Sequence, residues 1–101
     1  MDARRAERRI RKAIEVEIIR LQDLSAVETA MTEDISARGA RILTRRDWRI
    51  DEVVAVASLA GDFRATARVV YCEPGNTGCS AIGVEILNHS GAWPLNLSAS
   101  A

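Results

Sequence analysis

The sequence predicts an all-β domain, a small antiparallel sandwich or barrel of about six short strands. Three observations predict it. Apolar residues recur at period 2 in several short segments, turn chemistry separates those segments at near-regular spacing, and the apolar material is aliphatic rather than aromatic. Of the 101 residues, 48% are hydrophobic but only 4% aromatic, so the core must be built from Ile, Val, Leu and Ala. This length is one domain's worth, enough to bury one core.

The elements follow in chain order. Residues 1–12 are a polar, basic lead-in: Arg4, Arg5, Arg8, Arg9, Arg11 and Lys12 stand against only Asp2 and Glu7. Residues 13–20 are ambiguous on pattern. Ile14, Val16 and Ile18 alternate with Glu15 and Glu17 as in a strand, yet Ile10, Ile14, Ile18 and Leu21 also share a helical face. In residues 26–35, Val27, Thr29 and Met31 recur at period 2, and Gly39 then opens Ala40-Arg41-Ile42-Leu43-Thr44. Residues 53–59 form a short apolar run ended by the turn residues Ala60-Gly61-Asp62. The cleanest alternation follows: Phe63, Ala65, Ala67, Val69 and Tyr71 on the face expected to point inward, Arg64, Thr66 and Arg68 on the other. Glu73 to Gly78 reads as a loop, Ile82, Val84 and Ile86 alternate again, and residues 93–101 read as a loose tail. The barrel itself is expected over 13–92.

Charge and motifs exclude several function classes. Basic and acidic residues number 14 each, so net charge is zero, and no aromatic platform is available for stacking bases. Both facts argue against a nucleic-acid polymer as partner. No apolar run reaches membrane-spanning length, so no membrane insertion is expected, and no signal peptide is read; the expected compartment is the cytoplasm. Cys72 and Cys79 have no zinc spacing; they flank a loop between two strands and could face each other across a hairpin, but in such a compartment they read first as reduced small hydrophobes. His89 is the only histidine and reads as structural or exposed; Trp48 and Trp93 read as caps over the barrel ends. No phosphate loop, metal cluster or acid/base pair is present, so no catalysis, metal or cofactor is expected.

Two motifs carry the chemistry. Arg5 and Arg9 frame an R-x-x-x-R spacing, with Arg4 and Arg8 in a second frame; alone, the cluster reads most simply as a solvated charged end. Asp34-Ile35-Ser36-Ala37-Arg38-Gly39 is a [D/N]-x-S-x-x-G pattern. Its bland reading is a tight turn, with Asp and Ser bonding local backbone and Gly at positive φ. Together they suit a ligand that combines guanine and phosphodiester. An arginine fork bonds guanine O6/N7, stacks on its face or clamps phosphate. A carboxylate accepts from the guanine N1–H and N2–H₂ edge, a hydroxyl serves either part, and a glycine admits a flat ligand close to the backbone.

This pair of motifs resembles the signature of PilZ domains. The resemblance extends to Gly39-Ala40-Arg41-Ile42, to Phe63 through Tyr71, and to Ile82-Gly83-Val84-Glu85-Ile86, so that it covers roughly residues 4–90. It implies a six-stranded antiparallel barrel whose flexible lead-in loop carries the arginines, with 13–20 as the first strand, at or near an edge. It implies cyclic di-GMP as ligand, held by Arg5 and Arg9 on guanine and phosphate, by Asp34 and Ser36 on guanine, and admitted at Gly39. Arg4, just before the motif, takes a position associated with a stacked ligand dimer. A bacterial signalling receptor of this kind would relay the bound state to an effector protein; the alternative is an adaptor that binds protein and no ligand. One departure is Asp51, which stands where a glycine is common before the fourth strand.

Overall fold

The computed structural model describes residues 8–24 and 26–95. Arg4 and Arg5, and most of the segment expected to be flexible, lie outside the described residues. The strands are β1 (Ile10–Arg11), β2 (Glu15–Arg20), β3 (Val27–Ile35), β4 (Gly39–Leu43), β5 (Val53–Ser58), β6 (Arg64–Pro74) and β7 (Cys79–Ser90). There is no helix among the described residues. Six strands run in the order β3-β2-β5-β6-β7-β4, and β4 pairs back onto β3 to close an antiparallel barrel. The short β1 is an addition that pairs with the far end of β3.

The ambiguous segment is a strand because period 2 buries what must be buried. Val16 and Ile18 point into the core while Glu15 stays exposed. The expectation of an edge position is corrected: β2 pairs with β3 through Glu15↔Met31 to Ile19↔Val27, and with β5 through Val16↔Ser58 to Arg20↔Val54. Closure leaves the six barrel strands no free edge, which removes the unpaired N–H and C=O groups of an open sheet. The lead-in is likewise not a loop throughout, since Ile10 and Arg11 pair with Ile35 and Asp34.

The core is aliphatic as the composition requires. Val16, Ile18, Ile35, Ile42, Val54, Val56, Val69 and Ile82 are fully buried, with Phe63 at one side. Trp48 is itself part of the core. Its indole N–H donates to Glu28 Oε1 at 2.8 Å, and the other Glu28 oxygen accepts the Arg45 N–H at 2.7 Å, so one carboxylate gathers the loop that seats the ring. Asp51 has φ +73°. That conformation disfavours most side chains but is tolerated by Asp, which explains why an aspartate can stand where glycine is common.

The inward row holds for Phe63, just before β6, and for Ala65, Ala67 and Val69 on it, but not for Tyr71, which is 37% exposed. Val69 faces Val84 and Tyr71 faces Gly83, so Val70 is an extra residue that bulges the strand. A bulge reverses the alternation beyond it. Tyr71 therefore turns outward and Cys72 turns toward the core. There Cys72 meets Cys79 in a disulfide, Cα to Cα 5.5 Å, which corrects the expectation of two reduced thiols. Reduction is expected to destabilise the domain by about 2 kcal/mol on the chain-entropy account for a short loop. For a domain of this size that lowers the melting temperature by roughly 8–16 °C. Melting with and without a phosphine reductant checks it; an unchanged midpoint would remove the disulfide from the stability account.

Candidate functional site

The site begins at the turn between β3 and β4. The Ser36 N–H donates to Gly39 O at 2.8 Å, and Ser36 Oγ accepts from the Gly39 N–H at 3.1 Å and the Arg38 N–H at 3.3 Å. Ser36 is only 4% exposed, so its hydroxyl shapes the turn from within. The turn is tied down on two further sides. The Trp93 indole N–H donates to Ser36 O at 3.1 Å, and the Ile86 N–H donates to Arg38 O at 2.7 Å. Trp93, assigned to the loose tail on sequence, is thus fixed to the motif turn and stacks on Phe63 with ring centroids 4.0 Å apart. His89 also packs against Phe63, ring centroids 5.5 Å apart, in keeping with a structural reading.

Gly39 serves a different purpose from the positive φ its turn suggested. Positive φ among the glycines occurs at Gly61, Gly78 and Gly91 and not at Gly39. A Cβ on Gly39 would instead lie 2.4 Å from Val84 O on β7. The glycine lets two backbones approach so that β4 can pair with β7, beginning at Gly39↔Glu85.

Asp34 owes its orientation to a second bulge. Thr32 faces Ile42 and Asp34 faces Arg41, so Glu33 is the extra residue on β3. Thr32 and Ile35 are both buried, an odd spacing that a plain alternation could not give. The bulge sends Asp34 to the outer face, a common way for a strand to re-aim a side chain beside a site. There Arg9 Nη2 donates to Asp34 Oδ1 at 2.5 Å, with the two side chains 50% and 21% exposed. The structure therefore brings together Arg9 of the first motif and Asp34 of the second, which are 25 residues apart in sequence. At this exposure the ion pair contributes little to stability, about 0–1 kcal/mol.

Sequence reasoning missed two cations beside Asp34. Arg11 and Arg41 are its direct register partners on β1 and β4. Arg41 is held in a network: Nε donates to Glu33 Oε1 at 2.5 Å, and Nη1 and Nη2 donate to the two Glu73 oxygens at 2.7 and 2.9 Å. Nη1 also donates to the Tyr71 hydroxyl at 3.1 Å. Bonding to Glu73 above all, then to Tyr71 and Glu33, raises the Arg41 pKa further above its ordinary value, and Arg41 in turn lowers that of Glu73. The alternation of β4 already marked Arg41 as outward; its place opposite Asp34 needed the bulged register.

Below the turn lies a largely apolar cleft of about 280 Å³, lined by Arg8, Ile10, Ser36, Phe63, His89 and Trp93 among others. No group of three or more His, Cys, Asp or Glu is placed to hold a metal among the described residues. No helix is long and apolar enough to cross a membrane among them. Chemically, the outer face offers a cation–carboxylate pair beside a tight, close-packed turn, a surface that can exchange its own ion pair for a ligand with both acceptor and donor edges.

The family model of the PilZ domain, a family of cyclic di-GMP-binding and adaptor domains, matches residues 3–92. A search of curated proteins found no match. The matched span takes in both motifs and all seven strands, and the closed antiparallel barrel with its one added strand agrees with the fold of that family. The chain belongs to the PilZ domain family.

Proposed function

We propose that this domain binds cyclic di-GMP on the outer face of the barrel and relays the bound state to an effector protein as a bacterial signalling receptor, without catalysis and without a cofactor. The observation that carries this reading is the Arg9–Asp34 contact, which joins two motifs distant in sequence on one exposed surface. In the bound state Asp34 accepts from the guanine N1–H and N2–H₂ edge. Arg9, released from Asp34, and Arg5 bond guanine O6/N7 or phosphate and stack on the base. Ser36 and Gly39 hold the turn that presents Asp34, and the Ser36 hydroxyl contacts guanine by exchanging one of its local bonds. Arg4 extends the cationic stretch to a second, stacked ligand molecule.

Calorimetric titration with cyclic di-GMP, with GTP and cyclic di-AMP as controls, tests the proposal. Saturable binding of cyclic di-GMP alone is expected, and a stoichiometry of two would report the stacked pair. No binding would leave the domain as an adaptor that works through protein contacts.

A further inference from the structure

Where the lead-in passes from β1 to β2, one side chain, that of Thr32, holds both sides of the junction to the barrel. β1 and β2 run along the same flank of β3, and the chain breaks away from the ladder between them. Backbone bonds persist on both sides of the break: the Lys12 N–H donates to Glu33 O at 3.2 Å, and the Thr32 N–H donates to Ile14 O at 2.9 Å. The break frees the Ile14 N–H and the Lys12 carbonyl. Thr32 Oγ1 takes up both, accepting from Ile14 N–H at 2.8 Å and donating to Lys12 O at 2.6 Å. Thr32 is 1% exposed, so water has little access to substitute for it.

The position of this hydroxyl matters as much as its bonds. On its other flank Thr32 faces Ile42, the last pair before the Glu33 bulge that sends Asp34 outward. One residue thus stands at both irregularities that bring the motifs together. Beyond it, Ile10 and Arg11 face Ile35 and Asp34, and Arg9 reaches Asp34. A slip of one residue in this register would exchange the faces of every side chain in the lead-in. It would carry the arginines away from Asp34.

We infer that Thr32 is a positioning residue that sets the register of the arginine lead-in against Asp34; this rests on the reading of the outer face as a cyclic di-GMP site. Thr32→Val keeps the shape and removes both bonds, whereas Thr32→Ser keeps the hydroxyl. The experiment measures cyclic di-GMP affinity and amide hydrogen exchange for the wild type and both variants, and affinity again in an Arg5→Ala/Arg9→Ala background.

T32V is expected to weaken binding about tenfold, or about 1.4 kcal/mol. It should also speed exchange at Lys12 and Ile14 while the β5 and β6 amides keep their protection, and T32S should resemble the wild type in both respects. In the Arg5→Ala/Arg9→Ala background the affinity loss from T32V should largely vanish, because its effect passes through the lead-in arginines. A loss of equal size in that background marks Thr32 as merely structural and overturns the inference. So does a T32V protein that binds as tightly as the wild type. Should T32V fail to fold, the wild type decides: saturating ligand should slow exchange at Lys12 and Ile14 more than in β5, and equal slowing overturns the coupling. A wild type that does not bind cyclic di-GMP sinks the functional reading itself, a result distinct from a binding wild type with an unaffected T32V.

Discussion

Arg9→Ala is expected to weaken cyclic di-GMP binding at least roughly tenfold, the equivalent of about 1.4 kcal/mol. The substitution removes charge-assisted hydrogen bonds, each contributing about 1.5–3 kcal/mol. A cation stacked on a base contributes roughly another 0.5–2 kcal/mol. Against this, the free protein gives up the Arg9–Asp34 ion pair, but an exposed pair offsets only about 0–1 kcal/mol. Arg5→Ala should act with similar size. Asp34→Ala should lose less affinity and more selectivity, because its oxygens read the guanine edge and not the phosphate, and because it frees Arg9 from its partner. Arg64 lies outside both motifs, between Ala57 and Ser90 in register, and Arg64→Ala should change little. Titration of the four variants with cyclic di-GMP and cyclic di-AMP decides the matter. The site is misplaced if Arg64→Ala proves as damaging as Arg9→Ala, or if Asp34→Ala retains its preference for guanine.

Gly39→Ala is expected to destabilise the barrel by about 1–3 kcal/mol, the range for overpacking a well-filled site. The new Cβ would sit 2.4 Å from Val84 O, a backbone atom that cannot rotate aside. Relief requires β4 and β7 to part, which strains the Gly39↔Glu85 pair and the Ser36 bonds to the Gly39 and Arg38 N–H groups. The sign of the effect is diagnostic. Where alanine fits the backbone without strain, Gly→Ala stabilises by about 0.4–1 kcal/mol through the unfolded chain. A denaturant midpoint at or above that of the wild type would therefore rule out the close strand approach and leave the glycine to ligand access alone.

Much of the fold was legible in the residues. The alternation of Phe63 through Val69, the aliphatic core and the turn residues around Gly61 and Gly75 are local signals, because the pleat alone decides which side chain faces inward. The pattern of Asp34, Ser36 and Gly39 was legible because it is written in six consecutive positions, from the end of β3 through the turn to the start of β4.

Other features depended on two strands being matched to each other, and no single strand carries that information. The extra residues Glu33 and Val70 exist only relative to their partners β4 and β7. Each reverses the faces beyond it, so Asp34 and Tyr71 turn outward while Cys72 turns inward to meet Cys79. The same holds for β2, whose two-sided pairing follows from closure, and for Gly39, whose missing side chain answers to an oxygen 45 residues further along the chain. Period and composition are properties of a segment and can be read along it. Register is a property of a pair, and it was register that set Arg11 and Arg41 opposite Asp34 on the neighbouring strands and brought Arg9 to its carboxylate.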